Sequence, residues 1–87
     1  MPHLLVRHRV SDYKVWRVGF DAHLADRQKA GLTDLHVYPA LDDPNDVVMF
    51  FTVLDVDRAR EYAESASLKQ DMSRFGVVSE PEAVFLR

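Results

Sequence analysis

The chain has 87 residues, 47% of them hydrophobic and 29% charged, which is the balance of a folded domain and excludes a disordered one. Its net charge of -3 gives no broad electrostatic reason to bind nucleic acid or acidic lipid. The absence of cysteine removes disulfide frameworks, zinc–thiolate sites and thiol nucleophiles together.

His3 to Val10 alternates as a strand, with Leu4, Val6, His8 and Val10 on one face and His3, Leu5, Arg7 and Arg9 on the other. Ser11-Asp12 then supplies a helix N-cap. From Tyr13 to Ala30 the period becomes helical, and Trp16, Phe20, Leu24 and Arg27 recur on one apolar stripe with Tyr13 and His23 beside it. Gly31 is the expected C-terminal glycine, so one helix is predicted across Tyr13–Ala30 despite Gly19 in its middle. Leu32 to Leu41 reads as a second strand, at a sheet edge because of Pro39. The turn formers Asp42-Asp43-Pro44-Asn45-Asp46 join it to a third, Val47–Leu54, that is apolar on both faces.

Asp55 or Asp57 opens a second helical region that buries Val56, Ala59, Tyr62 and Ala63. The break at Ser65-Ala66-Ser67, with Ser67 as a new cap, predicts two short helices, the second carrying Leu68, Met72 and Phe75 inward. Val77 to Leu86 closes as a last strand, with Pro81 marking an edge or a bulge.

The order is β-α-β-β-α-β, an α+β ferredoxin-like arrangement: a four-stranded antiparallel sheet with helices on one face. A strand apolar on both sides then leaves a greasy outer face, and a second copy of the chain is the simplest cover. A homodimer is expected. No stretch approaches the roughly 20 apolar residues of a membrane span, and the N-terminus enters a strand directly without a leader's apolar core. Residues 1–87 are expected to form one cytoplasmic domain that engages neither membrane nor nucleic acid.

Three stretches carry a family likeness: Val6–Trp16 (V-R-H-R-V-S-D-Y-K-V-W), the hairpin and strand Asp42–Phe51, and Ala59–Gly76 (A-R-E-Y-A-E-S-A-S-L-K-Q-D-M-S-R-F-G). With the element order they resemble the dimeric α/β-barrel superfamily, which includes antibiotic-biosynthesis monooxygenases and small cyclase-like proteins. The resemblance covers nearly the whole chain and implies a dimeric α/β barrel with any ligand cavity between sheet and helices. It also implies chemistry without a resident cofactor. Two departures matter. Histidines found in the second helical region of haem-degrading and many monooxygenase members are replaced here by Tyr62 and Ser67, and Asp55–Phe75 holds no histidine. The glutamate–aromatic pair common before that region is replaced by Phe51-Thr52-Val53-Leu54.

His8 is the candidate catalyst: on the helix-facing side of its strand, a neutral imidazole exchanges a proton near neutral pH. The alternative is a core histidine bonded to backbone. Trp16 and His23 lie two helical turns apart and can look onto the same space, Trp16 otherwise being plain core and His23 a flank residue. Tyr38 and Tyr62 are candidate hydrogen-bond partners for a ligand oxygen. Arg27 either closes the cavity to bind a carboxylate or enolate, or sits solvated in the helix's last turn. No pair among the four histidines has zinc-motif spacing, so no metal site is expected. The inventory fits two functional classes. One is a cofactor-independent monooxygenase or cyclase acting on an aromatic, polyketide-like substrate. The other is a non-catalytic dimeric module that binds a small apolar ligand or serves in interaction.

Overall fold

The structure, a computed structural model, describes the backbone of all 87 residues and every side chain except that of Asp34. Strand β1 (His3–Arg9) is followed by helices α1 (Tyr13–Ala22) and α2 (Leu24–Lys29), strands β2 (Leu32–Pro39) and β3 (Asp46–Val53), helices α3 (Val56–Ala63) and α4 (Ala66–Arg74), and strand β4 (Glu82–Leu86). The sheet runs β2-β3-β1-β4 with every neighbour antiparallel, which is the ferredoxin-like order.

Alternation sets the two faces. Along β3, Val47, Met49, Phe51 and Val53 are buried and the intervening residues are not. Register places Leu4 and His8 opposite Phe51 and Val47, so they share the buried face. Trp16 from α1 and Ala59 from α3 close the core over that row. Burying these side chains is worth roughly 1.5–3 kcal/mol for each large one. The other face carries Leu5, Val48, Phe50, Val84 and Leu86, brought together by the same register.

The first helix departs from expectation. Instead of one element across Tyr13–Ala30, the helix breaks at His23. The Phe20 carbonyl, which a continuous helix would offer to Leu24, receives the His23 N–H at 3.2 Å and the Arg27 guanidinium at 2.5 Å. The break rotates Leu24 off the apolar stripe, leaving it 51% exposed. Asp12 caps α1 through Lys14 N–H, Asp55 caps α3, and the cap of α4 is Ser65, whose Oγ accepts from Leu68 N–H, rather than Ser67. Strand β4 begins after Pro81 rather than at Val77, since proline has no N–H for the ladder. Val77 contributes only an isolated bridge to Val10.

Gly19, which sequence reading treated as a blemish, is a packing requirement. A Cβ there would lie 2.4 Å from the Phe75 ring, so α1 and the end of α4 meet only because the atom is missing. Gly19→Ala should therefore destabilise the fold by about 1–2 kcal/mol, overpacking exceeding the helix-propensity gain of roughly 1 kcal/mol. In a Phe75→Ala background the same change should stabilise. A double-mutant cycle in urea checks the reversal, and a stabilising Gly19→Ala in the unaltered chain would contradict it.

Candidate functional site

Between the sheet and the helices lies a cavity of about 370 Å³, toward the small end of the roughly 300–1,000 Å³ typical of small-molecule pockets. Its floor is the inward row of the sheet, including Leu4, His8 and Met49; Trp16 and Phe20 form one wall, and Tyr62, Met72 and Phe75 face them from α3 and α4. Residues of α1, α2, α3 and α4 all contribute to its lining. No residue of α4 is buried, so this cover is thinly packed.

Strand alternation turns His8 inward, where it is 5% exposed. Its imidazole meets Trp16 edge-on, with ring centroids 5.4 Å apart and planes at 80°. Nδ1 is sealed from solvent and has no hydrogen-bond partner. The core-histidine reading finds no partner residue at Nδ1, where the only polar group in play is the backbone of His8 itself. Burial pushes the His8 pKa below the ordinary 6.5, so the ring is neutral at pH 7.

Trp16 is 3% exposed and stacks on Phe20 at 4.7 Å. It is core and cavity wall at once. Past Phe20 comes Arg27, its Cζ 3.8 Å from the Phe20 ring centroid in cation–π geometry. Arg27 is 5% exposed and lines the cavity. The reading of a solvated last-turn cation is thus overturned: the helix break swings this stem inward, and its Nη1 is taken by the Phe20 carbonyl.

Tyr62 lines the cavity from α3, half-buried, and burial raises its hydroxyl above the ordinary value of 10 while the Arg27 charge works against this. At pH 7 it is a hydrogen-bond donor in its neutral form. His23 stands at the break between α1 and α2 on the cavity's edge. Its Nδ1 lies 2.8 Å from Asp26, its Nε2 3.8 Å from Asp71 on α4, and its ring is tilted on Phe75.

Of the six residues singled out from sequence, His8, Trp16, His23, Arg27 and Tyr62 line one cavity. Tyr38 does not. It pairs with Val48 on the outer face, 57% exposed, and stacks with His36. The pairing of β2 with β3 shifts between Thr33 and His36, an irregularity that alternation alone does not reveal. Sequence reasoning named Phe20 as a stripe residue without giving it a place in the site, and offered Arg27 a place there only as one of two alternatives. Their signal was that stripe position, four and eleven residues beyond Trp16. Among the described residues, no group of three or more histidine and carboxylate side chains is arranged to hold a metal ion. No helix is long and apolar enough to cross a membrane.

By sequence, no family model and no curated protein matches the chain. By structure, it is similar to an antibiotic biosynthesis monooxygenase at a TM-score of 0.74 and 6% identity, over 100% of this chain and 97% of the other. It is also similar to SnoaB, a cofactor-independent oxygenase from Streptomyces nogalater, at a TM-score of 0.72 and 17% identity, over 99% and 92% of the two chains. A monooxygenase from the ActVA-Orf6 gene of Streptomyces coelicolor, solved with the ligand Nanaomycin D, aligns at a TM-score of 0.64 and 19% identity, over 98% and 84%. At these identities the likeness establishes the fold alone, the α+β ferredoxin-like arrangement these structures share with the chain.

Proposed function

We propose that this chain, built on the fold of the dimeric α/β-barrel superfamily, is a cytoplasmic homodimeric monooxygenase that oxidises a phenolic fused-ring substrate without a bound cofactor. The observation that carries the reading is His8: a neutral imidazole, 5% exposed, edge-on to Trp16 in a cavity walled by aromatic rings. Among similar folds, those described as cofactor-independent oxygenase and as monooxygenase support the reaction class.

The chemistry asked of the chain is limited. A flat ring slides against Trp16 and Phe20, and Tyr62 donates a hydrogen bond to a ring oxygen. His8 takes a proton from the ring's activated CH₂, leaving a carbanion delocalised onto that oxygen. Dioxygen is the oxidant and bonds at the same carbon. Loss of water then leaves a carbonyl: CH₂ and O₂ become C=O and H₂O, with both hydrogens leaving the carbon and one oxygen atom going to each product. Exclusion of water by the apolar walls protects the carbanion from reprotonation.

The test is oxygen uptake with a panel of anthrones and polycyclic phenols, run beside quenching of Trp16, the only tryptophan. Stoichiometric oxygen consumption with quinone formation is expected. Product formed without oxygen uptake would move the assignment to a proton-transfer cyclase or isomerase. Saturable quenching without any product would make the chain a binding module.

A further inference from the structure

Arg27 is a positive charge placed inside an apolar cavity and, among the described residues, has no ion-pair partner. Its nearest recorded partners are the Phe20 carbonyl, through Nη1, and the Phe20 ring. Among the described residues no carboxylate lies within ion-pair distance of it. Asp21 is held instead by Arg17, at 3.0 Å, and Asp26 by His23. An arginine that is 5% exposed and unpaired is costly to keep in a fold, since a buried charge ordinarily carries a partner. The remaining edge of the fork, Nε with Nη2, makes no hydrogen bond within the described protein. Neither of those nitrogens is sealed from solvent; among the described residues the sealed, partnerless side-chain polar atoms are His3 Nδ1 and His8 Nδ1. The edge therefore retains accessible surface, and the cavity is the space Arg27 lines.

We infer that Arg27 is an anion-binding subsite of this cavity and selects ring ligands that bear a carboxylate. The fork's Nε–Nη2 edge matches a carboxylate with two parallel hydrogen bonds, which a single phenolate oxygen does not. Stacking of Phe20 on the guanidinium fixes the fork's plane before the ligand arrives. The ring then extends from Arg27 along Phe20 and Trp16 toward His8. This rests on the cavity being the ligand site, as proposed above, and adds the chemical class of the ligand.

The experiment is a Trp16 quenching titration with anthraquinone-2-carboxylate and its neutral 2-carboxamide. The unaltered protein should prefer the carboxylate by about tenfold or more, the worth of hydrogen bonds to a charged group. Arg27→Met should bring the two affinities to within about twofold of each other. Arg17→Gln, which removes an exposed cation near the same ring, should keep the preference, so a general positive field would be told apart from a built subsite. A purely structural Arg27, stapling the helix break, would alter stability and not the ratio. If Arg27→Met does not fold, Arg27→Lys decides: it should lower the carboxylate preference, and an unchanged preference there, or equal affinities for the two probes in the unaltered protein, overturns the subsite. Carboxamide binding without carboxylate preference would sink this inference and leave the cavity reading intact; no binding of either probe would sink both.

Discussion

Replacing His8 by alanine is expected to lower turnover of the ring substrate by about 10²–10⁴-fold, the range that a positioned acid–base group contributes, while Trp16 quenching by the same ligand persists. The two readouts separate loss of the proton acceptor from loss of the pocket. Turnover at the unaltered rate in His8→Ala would exclude His8 as the catalyst. The same side chain makes a stability prediction of opposite sign. A buried imidazole with a partnerless Nδ1 costs the fold the desolvation of that atom, about 1–3 kcal/mol. His8→Leu, close in size and free of polar atoms, should raise the urea midpoint while abolishing activity.

The pH dependence follows from the direction of the His8 shift. Its folded pKa lies below the ordinary 6.5 because burial disfavours the charged ring. As pH falls below about 6.5 the unfolded chain takes up a proton that the folded chain refuses, so stability is lost progressively until the folded pKa is passed. Above that window the contribution is fully present. Urea titrations of the unaltered chain and of His8→Leu between pH 5 and 8 should show a smaller acid-side loss in the variant, and parallel curves would contradict the assignment.

Phe50→Asp is expected to convert a homodimer to a monomer. Phe50 lies at the middle of the outer sheet face, between Leu5 on β1 and His36 on β2, with its ring stacked on His3 at 5.1 Å. Val84 and Leu86 extend the apolar strip onto β4, and both are exposed. Two such faces pressed together would remove the strip from water without disturbing the cavity, which opens on the other side of the sheet. The salt bridges Arg7–Asp46 and Arg9–Asp43 sit toward one end of this face and leave the apolar centre clear. A carboxylate at position 50 would be desolvated in that centre without a partner, a cost of several kcal/mol per chain. Light scattering on the eluting protein reads the mass directly. Val84→Asp, at the sheet's edge strand, gives a second variant should the first fail to fold. A mass of one chain for the unaltered protein, or an unchanged dimer in both variants, would reject the interface.

The sequence alone determined the sheet and its sidedness. Period-two alternation in β1 and β3 is a local property, and it set which residues, His8 among them, face the helices. The doubly apolar β3 and the cap-and-break pattern around Ser65 were local as well, so element order and fold class were legible. Tertiary structure decided the rest. At the His23 break the Phe20 carbonyl accepts from the His23 N–H and the Arg27 guanidinium instead of from Leu24, an exchange that the helical stripe does not announce. Beyond the break Leu24 faces outward, and Arg27, a candidate surface cation, is a buried charge lining the cavity. Tyr38 was lost from the site to an irregular strand pairing, and Gly19 gained a purpose only when Phe75 arrived against it from another helix. In the last two cases the deciding interaction joins groups on different elements, which helical or strand periodicity does not relate, and periodicity is what a single sequence displays.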